Sequence, residues 1–308
     1  MSEAVLARPR QVRQKRAWPE TWVAAAFVAP AALVILLVVV VPLGRALWMS
    51  LFNIQLTRPG NEPFVGLGNY IDQLTSGDFW GATGRALFFT VVSTALELGL
   101  GMGLALLMDQ PLRIRWLLRT IIILPWALPT IVNALMWRWI DNAEYGALNA
   151  LLTQTGVLHS YQPWLSNSDL AMWMVILADV WKITPLVAIL LLAGLQAIDR
   201  EIIEVARVDG AGALQVFRHI VLPLVTPVIL ILLVLRTMEA FKVFDIVWIM
   251  TNGGPANSTQ TIAIYAYQTA YQGFDFGKGA ALGYLIALVI MVLAAVYLRL
   301  LGRTGRTS

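Results

Sequence analysis

Hydrophobic residues along this chain gather in long runs, and short polar segments separate the runs. A helix needs about 20 predominantly apolar residues to cross roughly 30 Å of hydrocarbon. Six runs reach that length, and they predict an all-α polytopic membrane protein with six transmembrane helices. The predicted helices cover residues of about 22–43, 85–108, 116–140, 170–195, 224–250 and 279–301.

Several residues inside these runs modify the simple picture of six straight helices. Pro125 and Pro129 lie within the third predicted helix, where proline removes a backbone donor and predicts a kink or a local break. Gly99 and Gly103 in the second helix have the spacing of close helix packing. The first run is too long for the core of a signal peptide, so we expect it in the mature protein.

The composition supports a membrane protein and excludes several classes of function. The 308 residues are 58% hydrophobic and 13% charged, whereas a soluble domain is about 25% charged. Basic residues are scattered between the apolar runs, which argues against a nucleic-acid partner. The chain has no cysteine, no phosphate-binding G-x-x-x-x-G-K-[ST] loop and no His-Glu-x-x-His site. We therefore predict a non-catalytic chain that binds no metal or cofactor itself.

The distribution of arginine and lysine predicts the orientation in the membrane, since cytoplasmic segments carry the excess of positive charge. With a cytoplasmic N-terminus, the four inside segments hold fourteen Arg and Lys residues, whereas the first outer loop holds Arg45 and Arg58. Both ends are therefore predicted in the cytoplasm. The domain prediction is a basic N-terminal tail at 1–21, a transmembrane domain at 22–301 and a short tail at 302–308.

The segment of residues 199–223, between the fourth and fifth predicted helices, is too polar to span a bilayer. Gly210 and Gly212 lie near its middle, and each would cost a helix about 1 kcal/mol relative to alanine. The segment is therefore predicted to form two short helices with a turn between them, at the cytoplasmic membrane surface.

The order of residues in the 199–223 segment resembles the EAA signature of permease subunits of bacterial ABC importers, and an ordinary polar loop is the alternative. The matching positions are Glu204, Ala206, Gly210, Ile220, Leu222 and Pro223. In that family the segment is a coupling helix that docks into a separate cytoplasmic ATPase. The resemblance implies this ATPase-coupling role for Glu204, Ala206, Arg207, Asp209, Gly210, Ala211, Ile220, Leu222 and Pro223.

Further motifs resemble the carbohydrate branch of the same family, which includes maltose and trehalose permeases. They imply the type I importer permease fold over nearly the whole chain from about residue 22. The motifs are FVGLGNY at 64–70, ILPWALP at 123–129, DVWKITP at 179–185, RTMEAFKVFD at 236–245 and TNGGP at 251–255.

Charged residues inside the predicted helices are candidates for the substrate pathway, because charges in a membrane are costly. Asp179 and Lys182 lie three residues apart on one helix, and Arg236 begins a series of alternating charges through Asp245. Trp181, Phe241 and Phe244 are candidates for stacking on a sugar ring, and Glu97 adds a further charge. The alternative is that these charges pair and hold the helices together. With the resemblance, the predicted pathway residues are Asp179, Lys182, Ile183, Leu186, Arg236 and Ala240.

The resemblance also implies an assembly in the bacterial inner membrane. Its expected members are a second, homologous permease in a heterodimer, two ATPase subunits that use ATP and Mg²⁺, an external sugar-binding protein, and lipid. The expected cargo is a sugar such as trehalose or maltose, moved inward by alternating access. The alternatives are a glycerol-phosphate-type cargo for the same importer, and an ion-coupled secondary transporter whose acidic residues relay ions.

Overall fold

A computed structural model describes residues 20–111 and 115–304, and its regular elements within these ranges are helices. The all-α fold is therefore confirmed. Most of the predicted basic N-terminal tail and part of the C-terminal tail lie outside the described residues. The helices are α1 Glu20–Ile35, α2 Val41–Ser50, α3 Gly68–Leu74, α4 Gly77–Asp109, α5 Arg115–Ala127, α6 Thr130–Ile140, α7 Ala147–Gln154, α8 Ala171–Gln196, α9 Arg200–Val208, α10 Ala213–Val216, α11 Leu222–Phe241, α12 Asp245–Met250, α13 Ile262–Tyr267 and α14 Phe276–Thr304, with π-helical turns at Leu36–Val40, Phe217–Val221 and Gln268–Gln272.

Within the described residues, five helical segments are long and apolar enough to cross a membrane, or six if the bent pair α5 and α6 counts as one span. The first of these segments, Phe27–Ser50, runs from α1 through a π-helical turn into α2. Side chains from Phe27 to Arg45 are exposed along it. Among the described residues, those up to Trp48 form a separate compact unit, and those from Met49 onward form the second.

The second unit is built around the contact between α4 and α8, which pack along much of their length. The contact is close at Gly101, where a Cβ atom would come within 2.7 Å of Val187 Cγ1. Apart from the backbone of α4 itself, no described atom lies within 4 Å of a Cβ built at Gly99 or Gly103. The expectation that Gly99 and Gly103 serve close packing is therefore wrong within this chain, since the glycine between them makes the contact.

The third predicted helix is sharply bent, as its two prolines indicated. Helices α5 and α6 meet at 93°, and Pro129 stands immediately before α6 in an extended conformation, with φ −55° and ψ 141°. Proline cannot donate the hydrogen bond that would continue α5, and it disfavours helical geometry at Leu128. The bend therefore follows from the local sequence.

The fifth predicted helix, residues 224–250, is also interrupted, and here the prediction of one continuous helix is wrong. Helix α11 ends at Phe241, and α12 begins at Asp245. The interruption leaves the carbonyl oxygen of Val243 outside the helical pattern, and Thr261 Oγ1 donates a hydrogen bond to it at 3.0 Å. A broken membrane helix is tolerated where such partners satisfy its backbone.

The remaining differences lie at helix ends and in loops. Helix α4 begins at Gly77, eight residues before the predicted start at residue 85, because Ser76 caps it by accepting a hydrogen bond from the amide of Asp78. Short helices α3, α7 and α13 lie in the predicted loops. The 199–223 segment contains the two short helices that were predicted, α9 and α10.

Candidate functional site

Four charged side chains from three helices form an ion-pair cluster, named here the charge cluster, of which three members are buried. They are Glu97 of α4, Asp179 of α8, and Arg236 and Glu239 of α11. Arg236 donates from Nε to Glu97 Oε2 at 2.6 Å and from Nη2 to Glu97 Oε1 at 2.8 Å. Its Nη2 also donates to Asp179 Oδ2 and its Nη1 to Glu239 Oε2, each at 3.1 Å. The two-pronged contact with Glu97 uses the fork geometry that makes arginine–carboxylate pairs strong.

The side chains of the charge cluster differ in how deeply they are buried. The Glu97 side chain is fully buried and that of Arg236 is 7% exposed, whereas the Glu239 side chain is 65% exposed. Removing one partner of a buried pair leaves an uncompensated charge, which costs about 3 to 5 kcal/mol. The cluster thus fastens α4, α8 and α11 to each other and presents one carboxylate, that of Glu239, to the surroundings.

The predicted pathway residues therefore fall into different environments. Asp179 and Arg236 are brought together, where they pair with each other and with Glu97. Lys182 lies one turn further along α8, where its Nζ donates to Thr130 Oγ1 at 2.7 Å. Thr130 is the first residue of α6 after the bend, so Lys182 joins α8 to the bent span. Sequence reasoning gave no role to Thr130 and no partner to Glu97.

The apolar pathway candidates differ in how accessible they are. Ala240 is 2% exposed, whereas Ile183 and Leu186 are partly exposed. Among the aromatic candidates, Phe241 is 1% exposed inside the core, so it cannot stack on a solute in this conformation.

The other two aromatic candidates differ from each other. Phe244 is stacked on Trp248 with ring centroids 5.7 Å apart. Trp181 remains 37% exposed, next to Lys182 on α8. Trp181 is therefore the most exposed of the three aromatic candidates, and its ring contacts Trp137 edge to face, with centroids 6.0 Å apart.

The 199–223 segment has a local structure that explains its central glycine. Helix α9 begins at an Asp199 cap, whose carboxylate accepts a hydrogen bond from the Glu201 amide at 3.0 Å. It ends in a Schellman motif: the amide of Gly210 donates to the Arg207 carbonyl at 3.1 Å, and the amide of Ala211 donates to the Ala206 carbonyl at 2.9 Å. Gly210 has φ +87°, a left-handed conformation that costs side-chain-bearing residues roughly 1 to 2 kcal/mol.

The same motif divides the segment into a packed side and an open side. Ala206, Ala211 and Ile220 pack against the core formed by the ends of α4, α8 and α11. The open side includes apolar side chains: Val208 is 87% exposed and Leu214 is 77% exposed. Of the other residues predicted in coupling, Leu222 is partly buried, and the exposed ones are Glu204, Arg207, Asp209, Gly210 and Pro223.

A cleft of about 460 Å³ lies behind α9, between it and the ends of α4 and α8. Its lining includes Asp109 of α4, Arg200, Glu204 and Arg207 of α9, and the apolar Ile198. Charges of both signs line this cleft, so Glu204 and Arg207 of the predicted coupling set face a polar space rather than the helix core.

These features define a helical membrane protein with a polar, glycine-capped segment between its fourth and fifth spans. Residues 97–305 match the family described as binding-protein-dependent transport system inner membrane component. The chain belongs to this family, which the ATPase-coupling resemblance had implied. A stand-alone, ion-coupled secondary transporter is therefore set aside.

The chain is also similar to individual permeases over most of its length. It is 39% identical to the trehalose/maltose transport system permease protein MalF of Thermococcus litoralis over 91% of this chain and 93% of that protein. It is 36% identical to the sulfoquinovosyl glycerol transport system permease protein SmoG of Agrobacterium fabrum, over 89% and 88%. It is 35% identical to the trehalose transport system permease protein SugA of Mycobacterium tuberculosis, over 89% and 87%.

Solved structures confirm the fold. The bacterial ABC transporter for import of the acidic polysaccharide alginate gives a TM-score of 0.79 at 22% identity, covering 92% of this chain and 96% of that one. The inward-facing MetNI methionine ABC transporter gives a TM-score of 0.52 at 16% identity, covering 72% and 94%. The chain therefore has the fold of ABC importer permeases and is a multi-pass inner membrane component.

Proposed function

We propose that this chain is the sugar-translocating permease subunit of an ATP-driven importer, with a disaccharide such as trehalose or maltose as cargo. Relatives that match about nine tenths of the chain carry trehalose and maltose in their names, and the sequence motifs favour the carbohydrate branch. The observation that carries the proposal is the 199–223 segment, which is packed on one side and has exposed apolar residues on the other.

In the proposed assembly, other subunits hydrolyse ATP and deliver the cargo. Two cytoplasmic ATPase subunits bind ATP and Mg²⁺ and dock on the open side of α9 and on its counterpart in a second, homologous permease. An external sugar-binding protein delivers the cargo to the opposite end of the helices. A relative solved as a complex, the alginate importer with its alginate-bound periplasmic protein, has the same fold as this chain. In this proposal both termini lie in the cytoplasm.

The mechanism we propose is alternating access driven through α11. The 199–223 segment continues through a π-helical turn directly into α11, and α11 carries Arg236 of the charge cluster. Movement of the ATPases would thus reach the α4–α8 pair through continuous helix and buried ion pairs. Asp209 is the polar part of the docking surface, Glu204 and Arg207 contribute to coupling from the cleft behind α9, and Gly210 sets the direction in which the chain leaves α9.

The proposed substrate pathway passes the accessible edge of the charge cluster. Glu239 and Lys182 offer a carboxylate and an ammonium group, and Trp181 offers a partly exposed aromatic ring. Asp179 and Arg236 position Glu239, and Ile183, Leu186 and Ala240 form apolar surroundings. A glycerol-phosphate cargo is disfavoured, because Arg236 is already surrounded by the carboxylates of Glu97, Asp179 and Glu239.

The test is to purify the tagged chain gently with its partners, reconstitute the complex in lipid nanodiscs and measure ATP hydrolysis with a panel of solutes. We expect an ATPase and a second permease to co-purify, and trehalose or maltose with the external binding protein to stimulate hydrolysis. Stimulation by glycerol phosphates and not by sugars would replace the proposed cargo. A chain that is recovered alone and moves solute down an ion gradient would refute the proposal.

A further inference from the structure

Four charged side chains line the cleft behind α9 and are accessible to a ligand. Asp109 contributes a carboxylate from the end of α4, and Arg200, Glu204 and Arg207 belong to α9. The three residues of α9 are exposed, and Asp109 is partly exposed. Among the residues that the structure describes, none of the four forms an ion pair. The cleft thus offers about 460 Å³ of space, within the size range of small-molecule sites, with accessible charges of both signs.

On the α9 side of the cleft, positive and negative charges alternate along one face of the helix. Arg200, Glu204 and Arg207 stand at positions i, i+4 and i+7, which share a helix face. Arginine and glutamate three or four residues apart can pair along a helix, yet these three side chains do not pair with each other. Their charges therefore remain available to a ligand in the cleft.

The opposite side of the cleft is negative. Asp109 is the last residue of α4, and Leu195 and Gln196 end α8. The C-terminal end of a helix carries roughly half a negative elementary charge, so two helix ends add to the charge of the Asp109 carboxylate. A cation is favoured on this side, and an anion is favoured beside the arginines of α9. The ligand that complements both sides is therefore a zwitterion.

The position of the cleft indicates the source of the zwitterion. Helices α4 and α8 are long and apolar enough to span a membrane, and the cleft lies where both helices end. Lipid headgroups lie at that level, just outside the hydrocarbon core. The lining also includes the apolar residues Pro111, Ile198 and Ile203, on which the glycerol backbone of a lipid can pack. A free headgroup such as phosphoethanolamine has no comparable apolar part.

From these features we infer that the cleft behind α9 binds the headgroup of a phospholipid with a primary amine, such as phosphatidylethanolamine. The ammonium group donates to Asp109, and the phosphate accepts from Arg200, which is four residues from the end of α8. A primary ammonium group has three N–H donors for a carboxylate, whereas the quaternary amine of phosphatidylcholine has none. Guanidinium binds phosphate through two parallel hydrogen bonds. The inference goes beyond the proposed function, because a lipid site does not depend on the cargo.

Titration of the purified complex with lipids tests this site. The tagged chain is purified with its partners in mild detergent, and phosphatidylethanolamine, phosphatidylcholine or phosphatidylglycerol is added while native mass spectrometry counts the bound lipids. Lipid sites on the other subunits are separated from this one by comparing the wild-type chain with variants of the cleft. We expect the site that responds to those variants to bind phosphatidylethanolamine about fivefold more tightly than either other lipid, the upper end of what one exposed charge pair contributes.

Two substitutions should change the lipid preference in different ways. Asp109→Asn removes the partner of the ammonium group, so it should weaken binding of phosphatidylethanolamine about fivefold and leave binding of phosphatidylglycerol unchanged or tighter. Arg200→Gln removes the partner of the phosphate, which all three lipids carry, so it should weaken binding of all three. A change of preference from phosphatidylethanolamine toward phosphatidylglycerol cannot arise from a general loss of folding.

The matched controls are exposed charges outside the lining of the cleft. They are Glu201→Gln for Asp109→Asn, and Arg218→Gln for Arg200→Gln. Both controls should keep the wild-type lipid preference. If Asp109→Asn fails to accumulate, the comparison of Arg200→Gln with Arg218→Gln still tests the site.

The outcomes separate this inference from the proposed function. Wild-type binding without preference among the three lipids, or with a preference for phosphatidylglycerol, would overturn the lipid site. Loss of the ATPase from Asp109→Asn with unchanged lipid binding would also overturn it and assign the cleft to a protein interface. A complex that shows the expected lipid preference but responds to no sugar would remove the proposed cargo and keep the lipid site.

Discussion

The charge cluster and the 199–223 segment differ in the burial of their side chains and in the partners that these side chains have. In the cluster, buried charges meet partners on three helices of this chain, with Arg236 paired to Glu97 and Asp179. In the 199–223 segment, charged and apolar side chains together are exposed, with Val208 at 87%. The difference is what the proposed function requires, since the buried charges of the cluster find partners within the described part of this chain, whereas the exposed apolar residues of the segment would dock on an ATPase.

The largest effect is expected at the centre of the charge cluster. Arg236→Met leaves the carboxylates of Glu97 and Asp179 buried without a cation, which should cost about 3 to 5 kcal/mol of stability. Thermal unfolding in nanodiscs measures the loss. The matched control is Lys242→Met, an exposed cation at the end of the same helix. Equal losses from both changes would show that the cluster does not hold the helices, whereas partial rescue of Arg236→Met by Glu97→Gln would support it.

Asp141 is a buried carboxylate without a charged partner among the described residues, so we expect its ionisation to lower the stability of the folded protein. Burial raises its pKa to about 7 from an unfolded value of 3.8, so the folded state binds the proton more tightly. Stability is then highest at low pH and falls as pH rises from about 4 to about 7, by at most about 4 kcal/mol.

The measurement for Asp141 is the melting temperature of the wild-type chain and of Asp141→Asn at pH 5 and pH 8. We expect Asp141→Asn to gain stability relative to wild type as the pH is raised, since its amide carries no charge at either pH. Parallel pH dependence of the two chains would contradict the effect. Glu144→Gln, which removes an exposed carboxylate nearby, should leave the wild-type pH dependence in place.

A third prediction concerns the turn of the 199–223 segment. Gly210→Val places a β-branched side chain at φ +87°, with an expected cost of roughly 1 to 2 kcal/mol. The chain should still accumulate in the membrane, but uptake should be lost because the Schellman motif no longer orients α9 and α10. Gly212→Val is the control, since Gly212 has φ −69° and an extended backbone that valine tolerates. Normal uptake by Gly210→Val would remove the coupling role.

The smallest effect on stability is expected on the open side of α9. Val208→Ser should change stability by less than about 0.5 kcal/mol, because the side chain is exposed, and yet reduce the amount of ATPase that co-purifies. Ile203→Ser provides the contrast, since Ile203 packs against the core. If Val208→Ser lowered the melting temperature and left co-purification unchanged, the open side would belong to this chain's own packing.

The sequence predicted those features whose cause is local. Pro129 predicts the bend between α5 and α6, and the long apolar runs predict the membrane-spanning helices. The interruption after Phe241 has no such signal, because residues 242–244 contain neither proline nor glycine, and the carbonyl of Val243 is satisfied by Thr261 from a later loop. Gly101 was overlooked for the related reason that its close contact depends on Val187 of another helix.

The same distinction between local features and long-range contacts applies to the candidate site. The two short helices of the 199–223 segment were predicted because the turn between them depends on Gly210 and its neighbours. The charge cluster was only partly predicted: the pattern marked Asp179 and Arg236 but could not supply their partner Glu97, which is 139 positions from Arg236. Asp141 was missed altogether, because a charged residue directly after an apolar helix resembles an ordinary boundary residue.

The uninterrupted length of α11 gives it the properties of a lever arm. Arg236 stands fourteen residues from Leu222 at the start of this helix, which is roughly 21 Å along the axis. A tilt of about 5° at Leu222 would therefore displace the guanidinium by roughly 2 Å, enough to separate it from Asp179 Oδ2, which lies at 3.1 Å. The break after Phe241 ends this arm just beyond the cluster, so a small rotation at one end would act on the ion pairs and not on the loop that follows α12.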